Sequence, residues 1–411
     1  GMSLNKAFRK SQAVTTLADT EDRTLTFDIS LGQKLKTGTS YELKWSNKRT
    51  RDNSPFFRIN PYYRSKAVLR VIQPLLKDFG IEVQEGRINI AKNRLDSARL
   101  GLDAKSMEII ANVEKAYWDL VLAYEKFEVS KLSLSLAQRL LKESRARVEA
   151  GVLAPVEALH AEAKVASREE ALLSDQKTIR DFEDKLKAAM NYKDWEIEIF
   201  PVDRPGRPGI VPAIRNVIQE ALKNRQDYKQ VKLDIKSKEI SRRIAENQTL
   251  PELSFVGAVS LNGLADTYDN SLDRLSSGNY YSWQLGLELK IPIGNRTAKG
   301  KAMKARFEED KAKTNFQSIE QKIILEVREA VRALELSIKK ITASLKTREL
   351  AQKRLEAEEE RFRVGMATAY NVLVFQESYA KALKSEKGAL IDYAKAEVEL
   401  KKVKGTLTVE E

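Results

Sequence analysis

Residues 147–163 read RVEAGVLAPVEALHAEA, and residues 361–377, which lie 214 positions downstream, read RFRVGMATAYNVLVFQE. In each stretch a segment with heptad spacing leads into a single glycine, Gly151 or Gly365, and a second helical pattern starts within a few residues. Glycine accepts the left-handed backbone conformation that ends many helices. Each stretch therefore predicts the tip of a helical hairpin.

The 214-residue offset persists upstream of both glycines. The residues that recur at this offset are Val113 and Val327, Ala116 and Ala330, and Leu136 and Leu350. Repetition over such a distance indicates a tandem duplication of one long hairpin. We expect a first repeat over residues 1–212 and a second over residues 213–411, joined by a proline-rich connector at 191–212.

Residues 81–150 and 296–364 carry a helical pattern with hardly a break. An ordinary helix has about 11 to 12 residues, whereas 70 residues at about 1.5 Å each predict a rod of about 105 Å. Sustained heptads indicate coiled-coil packing along a partner helix. Return helices are expected at 155–190 and 370–404, and a further helix at 213–247.

Apolar and polar residues alternate in four other segments, at about 24–46, 65–75, 253–261 and 282–292. Alternation with period two predicts strands with one apolar face. After the turn at residues 37–39 the first strand is expected either to turn back or to continue. Residues 1–20 are expected to be the frayed end of a helix, and residues 47–63 a loop.

An amphipathic sheet can cover a soluble core or face lipid. Aromatic residues near the strand ends favour lipid, because membrane strands carry aromatic girdles at both interfaces. These residues are Tyr41, Trp45, Tyr62, Tyr63, Tyr280, Tyr281 and Trp283.

Composition argues against an enzyme. The chain has no cysteine and one histidine, which excludes disulfides and thiolate chemistry and most histidine-based catalysis or metal binding. We expect no cofactor and no metal. The net charge of +13 is spread among acidic residues, which is typical of a solvated helical surface rather than a nucleic-acid partner. Gly1 before Met2 is typical of a cleaved expression tag, so the natural N-terminus is expected to be missing.

Four short motifs occur in order along this pattern: ALKNRQDY at 221–228, NQTLPELSF at 247–255, LKIPIGNR at 289–296 and RVGMAT at 363–368. Together with the duplication, they resemble the TolC-like outer-membrane efflux protein family over nearly the whole chain. The chain departs from the family at its start, where a counterpart of the 213–247 helix is largely absent. We attribute this departure to truncation.

The resemblance implies a mainly α fold with a membrane β-barrel portion. Three protomers, with four strands each, would close a twelve-stranded barrel in the Gram-negative outer membrane, and the long helices would form a channel-tunnel across the periplasm. A physical argument leads to the same assembly, because lipid offers no hydrogen bonds to the backbone groups at the two free edges of a small sheet. Several protomers must then share one barrel.

The implied function is a passive exit duct of a tripartite efflux or type I secretion system. Such a duct contacts outer-membrane lipid and docks a periplasmic adaptor and an inner-membrane pump. Two alternatives remain open from sequence: a periplasmic adaptor, and a soluble coiled-coil scaffold. An adaptor has one hairpin within glycine-rich domains, whereas this sequence has two hairpins.

The resemblance places a pore entrance just after the glycine tips, where Glu157 and Asn371 occupy matching positions. Three Glu157 side chains would ring the entrance and favour hydrated cations; alternatively, Glu157 is a first-turn acid that compensates a helix dipole. His160, one turn later, either faces the lumen or is an ordinary surface residue. Phe362 either plugs the closed entrance or packs between helices.

The tips also resemble the places where adaptor hairpins dock. The residues expected there are Arg147, Gly151, Arg361, Gly365 and Thr368. Arg147 and Arg361 recur at equal positions, which suits a shared docking role. Alternatively, each arginine caps the preceding helix end, where cations are favoured.

Overall fold

The computed structural model describes residues 1–12, 19–52, 58–206 and 208–407, which form two compact units. One unit contains Gly1–Asp96 and Lys232–Thr314, and the other contains Ser97–Val231 and Asn315–Glu411. Each unit therefore draws on both halves of the sequence. The division into repeats near residue 212 is a property of the duplicated sequence pattern and is separate from this division into units.

The first unit contains one six-stranded antiparallel sheet, in which the strands lie in chain order. The strands are β1 Met2–Gln12, β2 Asp19–Lys34, β3 Ser40–Asp52, β4 Tyr62–Pro74, β5 Glu252–Ala265 and β6 Tyr281–Lys290. The register pairs Leu31 with Leu43, Leu43 with Leu69, Leu69 with Val259 and Val259 with Trp283. One apolar row thus crosses five strands on a single face, as the alternation predicted.

In the N-terminal region two expectations are corrected, and the open question of whether the strand at 24–46 turns back is decided. Residues 2–12, expected as a frayed helix, form β1, because their amides and carbonyls pair with β2 along its length; residues 13–18 lie outside the described residues. The segment 24–46 turns back at Gly38, where φ is +96°, and so contributes to two strands. The loop expected at 47–63 is wrong over residues 47–52, which extend β3, and over 62–63, which begin β4; residues 53–57 lie outside the described ranges.

The described part of the chain therefore has six strands rather than the four that the resemblance implied.

The helices are α1 Ile81–Gln84, α2 Gly86–Glu149, α3 Pro155–Met190, α4 Ile214–Asn224, α5 Gln226–Asn247, α6 Tyr268–Ser276, α7 Arg296–Arg363 and α8 Ala369–Lys404.

Among these helices, none has the combination of length and apolar character that crossing a membrane would require.

The continuous helix expected at 213–247 is interrupted at Arg225, which adopts an extended backbone between α4 and α5. The Arg225 guanidinium donates two hydrogen bonds to the Asp227 carboxylate, at 3.0 and 2.7 Å, and also binds Glu326 of α7. Asp227 accepts the amide of Tyr228 at 2.9 Å. The ALKNRQDY motif thus forms a helix junction fixed by charged pairs.

The short helix α6 connects β5 to β6 and packs on the apolar face of the sheet. Gly263 permits this packing, because a Cβ there would lie 2.0 Å from the carbonyl oxygen of Ser271. The hydroxyls of Ser65 and Ser271 are hydrogen-bonded, and Ser65 donates to the Asn47 side chain at 2.8 Å.

The second unit is held by apolar residues that recur along its helices. The largest cluster joins α4, α7 and α8 and includes Val217, Ala221, Ile323, Val327 and Tyr393. A second cluster joins α2 to α3 through Leu120, Ala123, Ile179 and Leu186. Burial at every third or fourth position is the packing that heptads produce.

The connector after α3 is anchored by a buried ion pair. Lys187 lies 3.2 Å from Glu183 and donates to the Trp195 carbonyl at 2.6 Å, while Glu183 accepts the amide of Ile199 at 2.9 Å. Burial alone would raise the pKa of Glu183, but the Ile199 amide, Lys187 and Arg180 outweigh it and hold that pKa below its ordinary value. The ionised pair is therefore part of the native packing.

Candidate pore-entrance and docking site

Both hairpin tips lie in the second unit and have the same backbone geometry. Gly151 and Gly365 have φ of +73° and +77°. In the first tip the amide of Val152 donates to the Arg147 carbonyl at 3.0 Å, and in the second the amide of Met366 donates to the Arg361 carbonyl at 2.8 Å. This is the Schellman arrangement, in which a left-handed residue closes the helix end. The duplication extends to the hydrogen bonds of the turn.

The two return helices begin differently. Helix α8 is capped by Thr368, whose side-chain oxygen accepts the amide of Asn371 at 3.2 Å. Helix α3 has Pro155 at its start and no side-chain cap at Ala154. Thr368, expected at the docking tip, thus also has a structural role as the N-cap of α8.

Arg147 connects the two tips. Its guanidinium donates to the carbonyls of Phe362 and Arg363, at 2.7 and 3.3 Å, and lies 4.5 Å from the centre of the Phe362 ring. It also pairs with Glu143 at 2.7 Å. Arg147 therefore caps the C-terminal end of α7, the other long helix, rather than only its own helix.

Arg361, at the equivalent position, makes a different contact. It pairs with Glu358 of its own helix at 3.0 Å, and its side chain is 60% exposed. The two arginines therefore make different contacts despite their equivalent positions, and their shared role in docking stays a prediction. The link from Arg147 to α7 was missed from sequence, because no local pattern signals a contact across 215 residues.

Phe362 is 2% exposed. It packs in a cluster with Leu140, Leu355, Ala369, Val372 and Leu373. This geometry favours the packing interpretation of Phe362 over that of a plug.

Glu157 lies in the first turn of α3 and is partly buried. Within the described part of the chain, its Oε2 atom is buried and has no hydrogen-bond partner. The exposed ring of His160 faces that of Tyr370, with 6.1 Å between centroids. Asn371 is exposed. His160 of the first hairpin therefore lies beside the start of the second return helix.

The return helices are also joined by charge. Lys164 of α3 donates to Glu377 of α8, and this hydrogen bond lowers the pKa of the Glu377 carboxyl. Over the described ranges, no cluster of three or more His, Asp or Glu side chains could hold a metal ion.

A family model of outer membrane efflux proteins matches residues 46–192 and 217–406. Because these residues make up most of the chain, the protein belongs to the outer membrane efflux protein family. It is similar to Outer membrane protein TolC of Vibrio cholerae, with 22% identity over 332 residues, covering 78% of this chain and 73% of that protein. It is also similar to Nodulation protein T of Rhizobium leguminosarum bv. trifolii, with 21% identity over 330 residues, covering 78% and 67%.

Solved structures show the same fold. The outer membrane protein VceC from Vibrio cholerae aligns with a TM-score of 0.66 at 17% identity, covering 93% of this chain and 87% of that one. The CmeC outer membrane channel of Campylobacter jejuni aligns with a TM-score of 0.62 at 17% identity, covering 94% and 78%.

The family confirms the predicted fold class, localisation and general function. The protein is an outer-membrane exit duct of the tripartite-efflux class, with a periplasmic extension. The two alternatives, a periplasmic adaptor and a soluble coiled-coil scaffold, are not supported. Its relatives are channel proteins rather than enzymes, and TolC-type proteins form trimeric channels that work with adaptors and pumps.

Proposed function

We propose that three copies of this chain form the duct and that the tips at 147–155 and 361–368 form its periplasmic entrance. The observation that supports this most strongly is the junction at Arg147, which joins both tips of one protomer into a single surface. A rigid surface of this kind suits a channel mouth and a docking site, because its elements are held in fixed positions.

At this entrance, three Glu157 side chains form a ring that favours hydrated cations. Support comes from the position of Glu157 in the first turn of α3, directly after the tip that Arg147 joins to the end of α7. Removing its charge should therefore change the ions that enter.

Measurement of ion selectivity in a planar bilayer tests the ring. In Glu157→Gln we expect a lower preference for cations over anions, because three negative charges leave the narrowest region. The matched control is Glu162→Gln, since Glu162 lies on the same helix but is exposed and paired with Arg145 at 3.0 Å. Unchanged selectivity in Glu157→Gln would leave only the helix-dipole role for this residue.

The exposed residues that follow each glycine, Val152 and Met366, are the proposed contacts for the helical hairpins of a periplasmic adaptor. This adaptor connects the duct to an inner-membrane pump. Cysteines at 152 and 366 should crosslink to a co-expressed adaptor, whereas a cysteine at exposed Leu102 should not. Equal crosslinking at residue 102 would show that the tips are not the specific docking surface.

A further inference from the structure

A cavity of about 260 Å³ lies on the apolar face of the sheet, beside helix α6. Its apolar and aromatic walls are formed by Leu25 and Phe27 of β2, Tyr63 of β4 and Tyr268 of α6. The charged residues that line it are all basic, namely Lys48, Arg49 and Arg64, and within the described ranges no Asp or Glu lines it. The cavity therefore combines apolar walls with positive charge.

The cavity lies at the end of the sheet opposite to the one where the long helices start. At the helical end, the turn between β2 and β3 packs against the segment that leads into α1, since a Cβ at Gly38 would lie 2.5 Å from the Asp78 carbonyl oxygen. The amide of Gly80 also donates to the Thr37 carbonyl at 3.2 Å. Because the helices form the periplasmic extension, the cavity end of the sheet faces the cell surface.

We propose that this cavity binds an anionic, acylated glycolipid of the outer leaflet, with a phosphate group at Arg49 and an acyl chain along the apolar face of the sheet. This inference rests on the outer-membrane localisation of the protein. It is independent of the proposed entrance at the hairpin tips.

Arg49 places a positive charge on the face of the sheet that meets lipid. In the register it lies between Leu25 of β2 and Tyr63 of β4, so its side chain is on the same face as the apolar row. Its guanidinium carbon lies 5.8 Å from the centre of the Tyr63 ring. Among the described residues no carboxylate pairs with Arg49. Its planar fork of donors is suited to a phosphate group.

Two further arginines continue this face towards the cell surface. Arg23 and Arg51 lie directly opposite each other, two positions beyond Leu25 and Arg49. Like charges at directly opposite positions destabilise a sheet, and Arg23 has only an exposed partner in Glu21, at 3.7 Å. An anion bound beside Arg49 would reduce this repulsion. Arginines thus follow apolar residues along the strands, as a phosphate group follows an acyl chain in a lipid.

Asn47 contributes a buried hydrogen-bond donor to the cavity wall. The residue is 9% exposed, and its Oδ1 atom accepts the Ser65 hydroxyl at 2.8 Å. The Nδ2 group on the other side of the amide is buried and has no partner in the described chain. A phosphate oxygen can accept from this donor, whereas an acyl chain cannot.

The apolar walls favour a lipid over a free phosphate ion. Leu25 is 42% exposed although it lies on the cavity wall, and burying its surface under an acyl chain is favourable. Tyr63 and Tyr268 provide aromatic rings at the boundary between apolar and charged residues, where membrane strands usually carry them. Inorganic phosphate would use the arginine and the amide but none of the apolar surface.

Titration of the full chain, purified in detergent and freed of bound lipid, tests the site by native mass spectrometry. The probes are bisphosphorylated lipid A, its dephosphorylated form and inorganic phosphate. Since hydrogen bonds to charged groups are at stake, we expect lipid A to bind about tenfold to a hundredfold more tightly than the dephosphorylated form. Equal affinity for the two lipids would overturn the phosphate site, and inorganic phosphate binding as tightly as lipid A would overturn the lipid.

Arg49→Gln should remove most of the preference for the phosphorylated lipid, and Arg51→Gln, one step further out, should reduce it less. The matched control is Lys66→Gln, because Lys66 pairs with Ser46 and Asn262 on the opposite, polar face of the same sheet. Its preference should equal that of the unmodified protein. An equal loss in Arg49→Gln and Lys66→Gln would show general attraction to positive charge and refute the site. Single-channel current in all three variants should be retained, so failure of the site is distinguishable from failure of the duct.

Discussion

Replacing Arg147 by alanine should loosen the junction between the two hairpin tips. The change removes two hydrogen bonds from a charged donor to the carbonyls of Phe362 and Arg363 and the contact with the Phe362 ring. Hydrogen bonds to charged groups contribute about 1.5–3 kcal/mol each, and a cation–π contact contributes about 0.5–2 kcal/mol.

These contributions overlap, and the Arg147 side chain is 24% exposed, so solvent screens part of them. We expect a loss of about 2–4 kcal/mol in the local stability of the tip. Because 1.4 kcal/mol corresponds to a factor of ten, this loss is roughly a thirtyfold to a thousandfold decrease in amide protection.

Hydrogen exchange on the purified duct measures this effect at the amides of Gly365 and Met366, which close the α7 turn. Global unfolding should change less than local exchange, since Arg147 belongs to neither of the clusters around Val327 and Leu120. Arg147→Lys should recover part of the protection, because lysine keeps the charge but lacks the planar fork.

Arg361→Ala is the matched control. Arg361 occupies the equivalent position, but its exposed guanidinium pairs with the buried Glu358 of the same helix rather than with the other hairpin. Arg361→Ala therefore removes no contact between the hairpins, and amide protection at Gly365 and Met366 should change less than in Arg147→Ala. Equal effects of the two substitutions, or no effect of Arg147→Ala, would show that the inter-hairpin contacts do not hold the tip.

Phe362→Ala should lower the thermal stability of the second unit by about 3–5 kcal/mol; a melting curve like that of the unmodified protein would show that the buried ring is dispensable. Lys187→Met should destabilise the second unit by about 1.5–3 kcal/mol at neutral pH, because it removes the buried charged partner of Glu183 and leaves that carboxylate with only the exposed Arg180 and the Ile199 amide. Because the native pKa of Glu183 is lowered, the ion pair stabilises the folded state fully above the ordinary carboxyl pKa. This stabilisation is lost as pH falls through the native pKa. Denaturant titration should therefore show that Lys187→Met lowers the free energy of unfolding less in acid than at neutral pH. An equal loss at both pH values would contradict the role of the ion pair. Gly263→Ala should displace α6 and increase the rate at which a protease cleaves it. Gly286→Ala, whose added methyl group meets open space, should leave that rate unchanged. Equal cleavage of the two variants would contradict the close approach of the α6 backbone to Gly263.

Features set by neighbouring residues could be predicted from sequence. The glycines of the tips stand where heptads stop, so the turns at Gly151 and Gly365 follow from local conformational preference. Alternation likewise indicated the apolar sheet face, because side chains on a strand project to alternate sides.

Features set by distant residues could not be predicted. The contact of Arg147 with Phe362 joins segments 215 residues apart, and Arg225, at the interruption between α4 and α5, binds Glu326 of α7. β1 was missed because its few residues were read as the end of a helix, whereas the backbone partners in β2 determine its conformation. The position of Glu157 in the first turn of α3 could be predicted from the spacing after Gly151, but its partial burial depends on the packing around it.

The central claim is that three copies of this chain together form an open path through the outer membrane. Extraction of the protein in detergent, followed by mass measurement and single-channel recording in a planar bilayer, tests this claim most directly. We predict a particle with three 46.6-kDa chains that carries a steady ionic current. A monomer that stays in solution without detergent and passes no current would contradict the account.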